Sequence, residues 1–335
     1  MAKRRLSGRQ QERIARIQEE RRRRLTERVE QSLATATADE PRRGRVVTRH
    51  GAHLVVADDA GALVHCLFRQ NLGQVVCGDE VVWQSTGASG GVVTALLERG
   101  AVLSRPDYSG REKPLAANVT QLVVVIAPTP APTEYLIDQY LVAAESLGVK
   151  ALIAVNKLDA LERDQRAGLL ERFALYERMG YPVVGLSARR RQGLGPLLEH
   201  LQEETSILVG QSGVGKSSLV NALLPDLDVQ VGRLSGATGL GRHTTSAATL
   251  YSLPSGGRLI DSPGVRSFRL PDLDAERIEQ GFRELRPYLG RCRFKNCAHD
   301  KEPECALKDA LARGQIDPRR MESFLHMVAA AADRR

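Results

Sequence analysis

A glycine-rich segment followed by lysine and serine carries the clearest chemistry in this sequence. Residues 210–217 read GQSGVGKS, between a strand-like apolar run at 206–209 and a helix-like run from Ser218. Glycines let the backbone curl, so that successive N–H groups and a helix N-terminus point at a phosphate. Lys216 is expected to reach the β- and γ-phosphate oxygens and Ser217 to ligate Mg²⁺. The flanking strand and helix disfavour the alternative, a glycine-rich turn that matches by accident. The predicted phosphate contacts are Gly210, Gln211, Ser212, Gly213, Val214, Gly215, Lys216, Ser217 and Ser218.

A second motif, Asn-Lys-Leu-Asp at 156–159, directly follows another strand-like run and predicts the base that is bound. The Asp159 carboxylate can accept from both N1–H and the 2-amino group of guanine, whereas adenine would leave it unpaired. Lys157 is expected to lie over the base and Asn156 to fix the loop. Ser187 and Ala188, one strand later, match a short element that supports guanine through backbone N–H groups. The motif at 156–159 therefore predicts GTP as the substrate. Taken alone, its four residues could also form an ordinary surface turn.

A third motif, Asp-Ser-Pro-Gly at 261–264, predicts a sensor of the γ-phosphate. Asp261 is expected to hold Mg²⁺ through a water, and the Gly264 N–H to contact the γ-phosphate. Upstream lies the glycine-containing segment GLGRHTT. There Thr245, with Thr244 as the alternative, is expected to complete the Mg²⁺ shell only while GTP is bound. Such a segment is an order–disorder switch.

The residue after this motif is Val265, where many regulatory GTPases carry a water-orienting glutamine. An apolar side chain cannot position the attacking water, so slow intrinsic hydrolysis that needs another residue or a partner is predicted. His243 is the nearest polar candidate, and its alternative is a switch-loop histidine with no catalytic part. The predicted catalytic residues are therefore His243, Lys216 and Thr245.

The surrounding pattern alternates strand and helix from 115 to 272, which predicts a parallel sheet with helices on both faces. Ligands bind such sheets at the carboxyl ends of the strands, where Asn156, Ser187 and Gly210 would all lie. Their order is unusual, because the Asn-Lys-x-Asp motif precedes the phosphate loop instead of following it. We therefore predict a circularly permuted P-loop GTPase domain.

Three of the five cysteines form a cluster with one histidine near the C-terminal end. The spacing is Cys292-x₄-Cys297-x-His299-x₅-Cys305, and three thiolates with one imidazole form a closed tetrahedral Zn²⁺ set. One structural zinc ion is predicted, within a helical domain at 273–335. The alternative is a reduced thiol cluster without metal.

The N-terminal third has a different character. Residues 1–24 hold ten Lys/Arg against three acids, so this segment carries +7 of the net charge of +8. A basic flexible arm and linker at 1–42 is predicted, with nucleic acid as the expected partner and a tail without a partner as the alternative. Five short strand-like runs then predict a β-barrel at 43–110. The oligonucleotide-binding type (OB-fold) is the commonest choice, although the pattern alone does not separate it from an SH3-like barrel.

Composition restricts the remaining classes of protein. The chain has 335 residues, which predicts more than one domain, and its odd number of cysteines argues against a disulfide framework. No apolar run approaches the length of a membrane span, and the N-terminal segment lacks the apolar core of a secretory signal. We therefore expect a cytoplasmic monomer with no membrane partner.

With these pieces in order, the chain resembles the RsgA (YjeQ) family of bacterial small ribosomal subunit biogenesis GTPases. The residues that carry the resemblance are NKLD, GQSGVGKSSL, GRHTT, DSPGVR and CRFKNCAHDKEPEC. The resemblance spans nearly the whole chain and includes the arm, the barrel and the cysteine spacing. Other permuted GTPases share the motif order but lack the barrel and this cysteine spacing. It implies a factor that binds the small (30S) subunit and its rRNA late in maturation and hydrolyses GTP when that subunit stimulates it. It also implies a catalytic role for His243.

Two alternatives remain at this point. One is a GTP-dependent RNA-binding regulator of translation in which hydrolysis is incidental. The other is a permuted GTPase that acts in assembly of the large subunit. Stimulation of turnover by separated subunits is the observation that distinguishes the three functions.

Overall fold

The part of the chain that the computed structural model describes comprises residues 40–68, 72–86, 90–106, 112–227, 229–230, 248–261 and 273–333. Most of the predicted basic arm lies outside these residues. None of the helices within them is long and apolar enough to cross a membrane.

Five short strands near the N-terminal end form a closed barrel. They are β1 Arg42–His50, β2 His53–Asp58, β3 Leu63–Phe68, β4 Glu80–Ser85 and β5 Gly90–Leu96. Their order is β1-β2-β3-β5-β4, and β4 pairs back onto β1. The β3–β5 pair is parallel and the others are antiparallel. The interior is filled by apolar side chains such as Val46, Val56 and Trp83, which alternate with outward-facing residues. This closed order is that of the OB type, which the sequence pattern alone did not separate from an SH3-like barrel.

A two-stranded ribbon follows the barrel and was not predicted. It consists of β6 Val102–Pro106 and β7 Glu112–Ala117, which pair antiparallel. Each strand contains a proline, and proline in an apolar run argues against a strand interior. Both strands of a two-stranded ribbon are edge strands, and edge strands tolerate proline because one side of each strand makes no ladder hydrogen bonds. An isolated bridge from Cys77 to Ala116 joins the ribbon to the barrel.

A six-stranded sheet forms the centre of the molecule. Its strands are β8 Gln121–Ile126, β9 Lys150–Val155, β10 Val183–Gly185, β11 Thr205–Val209, β12 Thr249–Ser252 and β13 Arg258–Asp261. They are ordered β10-β9-β8-β11-β13-β12, and every pair is parallel except β12–β13. Every residue of β8 and β11 is buried, as expected for strands covered on both faces. The predicted parallel α/β sheet is therefore confirmed.

Four helices of the described residues cover this sheet. They are α1 Glu134–Leu147, α2 Arg163–Arg178, α3 Leu194–Leu201 and α4 Lys216–Leu223. Helix α1 begins at the N-cap Thr133, whose side chain accepts from the Leu136 N–H, and it ends at Gly148 in the left-handed conformation. The sheet separates two apolar cores, one on each of its faces, and the helices cover them. This layering places the loops that follow the strands at one open edge.

The barrel and the central sheet are joined edge to edge. Strand β12 pairs with β1 at Thr249 and Thr48, and both side chains are buried. The Thr48 hydroxyl donates to the Ala248 carbonyl at 3.1 Å, and the two threonine hydroxyls lie 3.4 Å apart. The barrel therefore contacts the strand that follows the segment predicted to be the switch.

Three helices form the C-terminal unit, which confirms the predicted helical region. They are α5 Ala275–Gly281, α6 Ala306–Ala312 and α7 Pro318–Ala332. This unit packs on α1 of the central domain through a buried ionic cluster. Arg320 of α7 is fully buried and forms ion pairs with Asp138 of α1 and with Glu284. Tyr176 also donates to Asp138, at 2.8 Å, so the carboxylate is shared between α2 and α7.

Candidate functional site

Four of the predicted site loops meet at one edge of the central sheet. Asn156 follows β9, Ser187 follows β10, Gly210 follows β11, and Asp261 is the last residue of β13. These strands run parallel, so their carboxyl ends lie on the same side. The fold thus brings together residues from motifs that are far apart in the sequence.

The phosphate loop needs glycine where it approaches its neighbours most closely. Gly210 has a φ of 136°, and a Cβ atom there would lie 2.2 Å from the Val125 carbonyl oxygen. At Gly215, with a φ of 95°, a Cβ atom would lie 2.4 Å from Asn156 Nδ2. A larger residue at either position would push the loop off β8 or off the Asn156 side chain. These two glycines therefore allow the turn from β11 into α4.

Lys216 is the first residue of α4, and its side chain folds back over the loop. The ammonium group donates to the carbonyl oxygens of Gly210 and Gln211, each at 2.6 Å. Ser217 and Ser218 are exposed in the first turn of the same helix, as is Ser212 in the loop. Because helix N-termini present unpaired N–H groups, this end of α4 can bind an anion.

Asn156 joins the phosphate loop to the loop after β10. It is 1% exposed; its Nδ2 donates to the Val214 carbonyl at 3.0 Å, and its Oδ1 accepts from the Ala188 N–H at 3.0 Å. Lys157 adopts a φ of 63°, and its ammonium group reaches the carbonyls of Thr129 and Gly213. The predicted base-recognition motif is thus hydrogen-bonded to the predicted phosphate loop.

Asp159 is held by its neighbour across the site. The Ser187 hydroxyl donates to Asp159 Oδ1 at 2.6 Å, and Arg190 lies 3.9 Å from Oδ2. The Ser187 hydrogen bond, with help from the nearby Arg190 and Arg189, holds the pKa of Asp159 below its ordinary value. The group is therefore ionised, which leaves it as an acceptor only.

Several predicted site residues lie outside the described part of the chain. They are His243, Thr244, Thr245, Gly264 and Val265. Of the third motif, Asp261 alone is described, at the end of β13. Their predicted roles remain predictions.

The cysteine and histidine cluster lies in the C-terminal unit. The ligand atoms of Cys292, Cys297, His299 and Cys305 all lie within 4.8 Å of one another. His299 Nδ1 is 3.5 Å from Cys292 Sγ and 3.3 Å from Cys305 Sγ, and the two sulfurs are 3.9 Å apart. A tetrahedral zinc site has S···S edges of roughly 3.8 Å and S···N edges of roughly 3.6 Å, given its usual bond lengths. The four residues thus fit one zinc ion with no open position.

Two residues near these sites were not found from the sequence. Tyr140 of α1 is mostly buried and interacts with the backbone of Gly210, so α1 touches the phosphate loop. Glu279 of α5 lies with Oε1 3.6 Å from His299 Nε2, the ring nitrogen that faces away from the cysteines. Neither residue belongs to a motif. Tyr140 matches an ordinary helix pattern, and Glu279 lies 13 positions before Cys292, the first cysteine of the cluster.

Comparisons with known proteins identify the family to which these motifs belong. A family model described as RsgA GTPase matches residues 96–271. A protein of Azotobacter vinelandii called "Small ribosomal subunit biogenesis GTPase RsgA" is 46% identical over 98% of each chain. A protein of Pseudomonas aeruginosa with the same name is 44% identical, again over 98% of each chain.

Two solved structures share the fold. YjeQ from Thermotoga maritima is 31% identical with a TM-score of 0.73, covering 88% of this chain and all (100%) of that one. YloQ, described as a circularly permuted GTPase, is 28% identical with a TM-score of 0.72, covering 88% of this chain and 96% of that one. The likeness to YloQ confirms the permuted order that the motifs predicted.

Proposed function

The chain belongs to the RsgA GTPase family, and we propose that it hydrolyses GTP to GDP and phosphate on the small ribosomal subunit, whose late maturation it assists. The observation that carries this proposal is the junction at Asn156. This side chain bonds at once to Val214 of the phosphate loop and to Ala188 beside the predicted base site. A guanine nucleotide bound here would contact the phosphate loop and the loop after β10, which Asn156 holds together.

Guanine recognition falls to Asp159 in this proposal. Its ionised carboxylate accepts from N1–H and from the 2-amino group, while Ser187 keeps it oriented. The Lys157 side chain, which already spans to the Gly213 carbonyl, lies along one face of the base. The Ala188 N–H is bonded to Asn156, so Ser187 and Ala188 act mainly by shaping the loop.

The phosphates lie against the loop at 210–218. Lys216 exchanges its contacts with the Gly210 and Gln211 carbonyls for the β- and γ-phosphate oxygens. The Ser217 hydroxyl is exposed at the helix start and would ligate Mg²⁺, with Asp261 holding it through a water. When bound, Mg²⁺ neutralises charge that develops on the β- and γ-phosphate oxygens.

The hydrolytic step depends on residues that lie outside the described part of the chain, so their roles are inferred from the sequence. In this proposal Thr245 would help to hold Mg²⁺, the Gly264 N–H would contact the γ-phosphate, and His243 would aid the attacking water. Val265 offers no group that could orient this water, which is why the subunit is expected to stimulate turnover. Thr244 remains the alternative to Thr245.

One structural zinc ion is proposed for the four-ligand cluster. Cys292, Cys297, His299 and Cys305 would hold it in a closed tetrahedron. The ion would supply cross-links between loop and helix, and no open position would remain for substrate. Its role is to order the segment between α5 and α6.

The proposed partners follow from the family and from charge. The small subunit and its rRNA are expected to meet the basic arm at 1–42 and the barrel, whose type binds oligonucleotides. We propose that the chain acts as a cytoplasmic monomer without a membrane partner.

The test is GTP turnover by the full chain alone, with purified small subunits, and with purified large subunits. Stimulation by small subunits well above the basal rate is the expected result. Lys216→Ala should abolish nucleotide binding or turnover. Lys150→Ala removes an exposed lysine paired with Glu204 at the opposite edge of the sheet, and it should behave as the unchanged chain does.

Other outcomes favour the alternatives. Stimulation by large subunits alone would favour large-subunit assembly. Subunit binding without any rise in turnover would favour an RNA-binding regulator. Full activity of Lys216→Ala would remove the proposed nucleotide site.

A further inference from the structure

Tyr140 connects helix α1 to the first residue of the phosphate loop. Its side chain is 7% exposed and belongs to the apolar core that also contains Ile126 and Val209. Its hydroxyl oxygen accepts a hydrogen bond from the backbone N–H of Gly210. A buried tyrosine hydroxyl ordinarily finds some partner, so a hydrogen bond alone would need no explanation. The identity of this partner does, because Gly210 is the residue at which the chain leaves β11 for the phosphate loop.

The fold explains how a residue in the second turn of α1 reaches this edge of the sheet. Helix α1 begins at Glu134, soon after β8 ends at Ile126, so its N-terminal end lies at the edge where the phosphate loop lies. Side chains on a helix lean toward the N-terminus of that helix. The long side chain of Tyr140 therefore extends back toward the loop, and its hydroxyl meets the backbone there.

Gly210 is held on three sides in this structure. A Cβ atom on Gly210 would lie 2.2 Å from the Val125 carbonyl oxygen, so the loop lies directly against β8. The Gly210 carbonyl accepts from Lys216 at 2.6 Å, and the Gly210 N–H donates to Tyr140. In the proposed function Lys216 leaves this carbonyl for the phosphate oxygens. Tyr140 lies within the core, so a nucleotide that binds at the open edge leaves its hydrogen bond in place.

The helix that carries Tyr140 is itself fixed to the C-terminal unit. Asp138 forms a fully buried ion pair with Arg320 of α7, and Glu145 forms an ion pair with Arg283. These pairs lie one on each side of Tyr140 along α1. The tyrosine hydroxyl therefore has a rigid support, which a group needs if it is to position a binding loop.

We propose that Tyr140 is a positioning residue for nucleotide binding, because its hydroxyl holds the Gly210 N–H and thereby keeps the phosphate loop in the conformation that accepts phosphates. Without the hydroxyl, this N–H would lose its acceptor, and the loop would gain free energy by moving to where water can replace it. A nucleotide would then bind only the smaller fraction of molecules that keep the competent loop. The inference rests on the proposed function, which assigns this loop to the phosphates of GTP.

The experiment measures Kd of the full chain for GDP and for a non-hydrolysable GTP analogue, together with KM and kcat of GTP turnover in the presence of small subunits. Tyr140→Phe keeps the ring and its packing and removes only the hydroxyl. Both affinities should fall by roughly 5- to 30-fold, as expected when a buried donor loses its acceptor. KM for GTP should rise by a similar factor while kcat is unchanged, because the loop holds the phosphates equally in the ground state and the transition state.

Tyr176→Phe is the matched control. The Tyr176 hydroxyl is fully buried and donates at 2.8 Å to Asp138, which is also on α1 but pairs with the C-terminal unit. This variant should lower the free energy of unfolding and leave both affinities and KM unchanged. A purely structural role for Tyr140 would give the same result as this control.

Amide hydrogen exchange tests the hydrogen bond without relying on kinetics. In the unsubstituted chain without nucleotide, the Gly210 N–H should be protected as strongly as the N–H groups of β11. In Tyr140→Phe it should exchange faster, whereas in Tyr176→Phe its protection should be unchanged.

Several results would overturn the inference. Unchanged nucleotide affinity of Tyr140→Phe would do so, as would an equal loss of affinity in Tyr176→Phe. A fall in kcat with an unchanged KM would place the hydroxyl in the chemical step instead, and an unprotected Gly210 N–H would show that no such bond holds the loop. If the unsubstituted chain binds no guanine nucleotide, the proposed function fails as well. If it binds one and Tyr140→Phe binds it equally well, only this inference fails.

Discussion

Replacing Asp159 with asparagine tests the assignment of the base site most sharply. The carboxylate accepts from Ser187 at 2.6 Å and has Arg190 at 3.9 Å, so its position is set by two neighbours. Asparagine has the same shape and can still accept from the Ser187 hydroxyl through Oδ1. Asp159→Asn therefore changes charge and donor pattern while the loop geometry is kept.

The expected magnitude follows from the lost hydrogen bonds. Guanine offers two donors to Asp159, and hydrogen bonds to a charged group contribute about 1.5–3 kcal/mol each. Asparagine retains an acceptor for N1–H but turns an amide donor toward the 2-amino group. One charge-assisted bond is lost and two donors then face each other, so GTP affinity should fall roughly 100-fold or more. Xanthine carries a carbonyl where guanine has its 2-amino group, so XTP should become the preferred nucleotide.

The assay compares Kd for GTP, XTP and ATP in the unsubstituted chain, Asp159→Asn and Asp164→Asn. Asp164 is exposed in the first turn of α2 and serves as the matched control, because it removes the same charge away from Ser187. The reasoning is refuted if Asp159→Asn keeps its preference for GTP over XTP. It is also refuted if Asp164→Asn shows the same change.

The pH dependence gives a second readout of the same group. The Ser187 hydrogen bond lowers the pKa of Asp159, so the carboxylate stays ionised at lower pH than an ordinary aspartate. Preference for GTP should therefore remain unchanged as the pH falls from 8 to about 5, above the ordinary aspartate pKa of about 3.9. A loss of selectivity within that range would mean that another, more basic group recognises the base.

Three further predictions concern the C-terminal unit and the arm. Arg320→Met should lower the free energy of unfolding by about 3–5 kcal/mol in chemical denaturation, because the fully buried Asp138 carboxylate loses the cation that pairs with it. A change below about 1 kcal/mol would contradict this. Glu279→Gln should weaken zinc binding roughly 10-fold, measured in competition with a chelator, because Glu279 lies beside Nε2 of His299. The control Glu276→Gln, on the same helix, should leave zinc binding unchanged. Removal of residues 1–24 should weaken binding to small subunits most at low salt and reduce the salt slope; an unaltered slope would mean that the arm makes no phosphate contact.

The parts of the site that depend on local chemistry could be predicted from the sequence. Glycine is needed at 210, which lies against the Val125 carbonyl, and at 215, which lies against the Asn156 side-chain amide. Because both contacts exclude a Cβ atom, the requirement is visible in the sequence as the glycines of the phosphate-loop motif. The four-ligand cluster was predictable for the same reason, because metal geometry restricts the spacing of its ligands. The alternation of strands and helices likewise predicted the parallel sheet, since fully buried strands read as apolar runs.

The parts that depend on distant partners could not be predicted. Arg320 has the sequence appearance of a surface arginine on an amphipathic helix, and arginine is almost never fully buried unless it is paired. Its partner Asp138 lies 182 positions away, and nothing in either segment points to the other. The β6–β7 ribbon was missed because its prolines argue against strands, although a ribbon tolerates them.

The contacts between units show that the barrel and the C-terminal unit attach to different parts of the central domain. The C-terminal unit is fixed to α1 through Arg320 and Asp138, and α1 reaches the backbone of Gly210 through Tyr140. The barrel instead pairs with β12 at Thr249, directly after the segment predicted to be the switch. The C-terminal unit also follows the Asp-x-x-G motif along the chain. The buried ion pairs hold the C-terminal unit to α1, the helix beside the phosphate loop. A displacement of β12 would instead be transmitted directly to the barrel, because β12 pairs with β1.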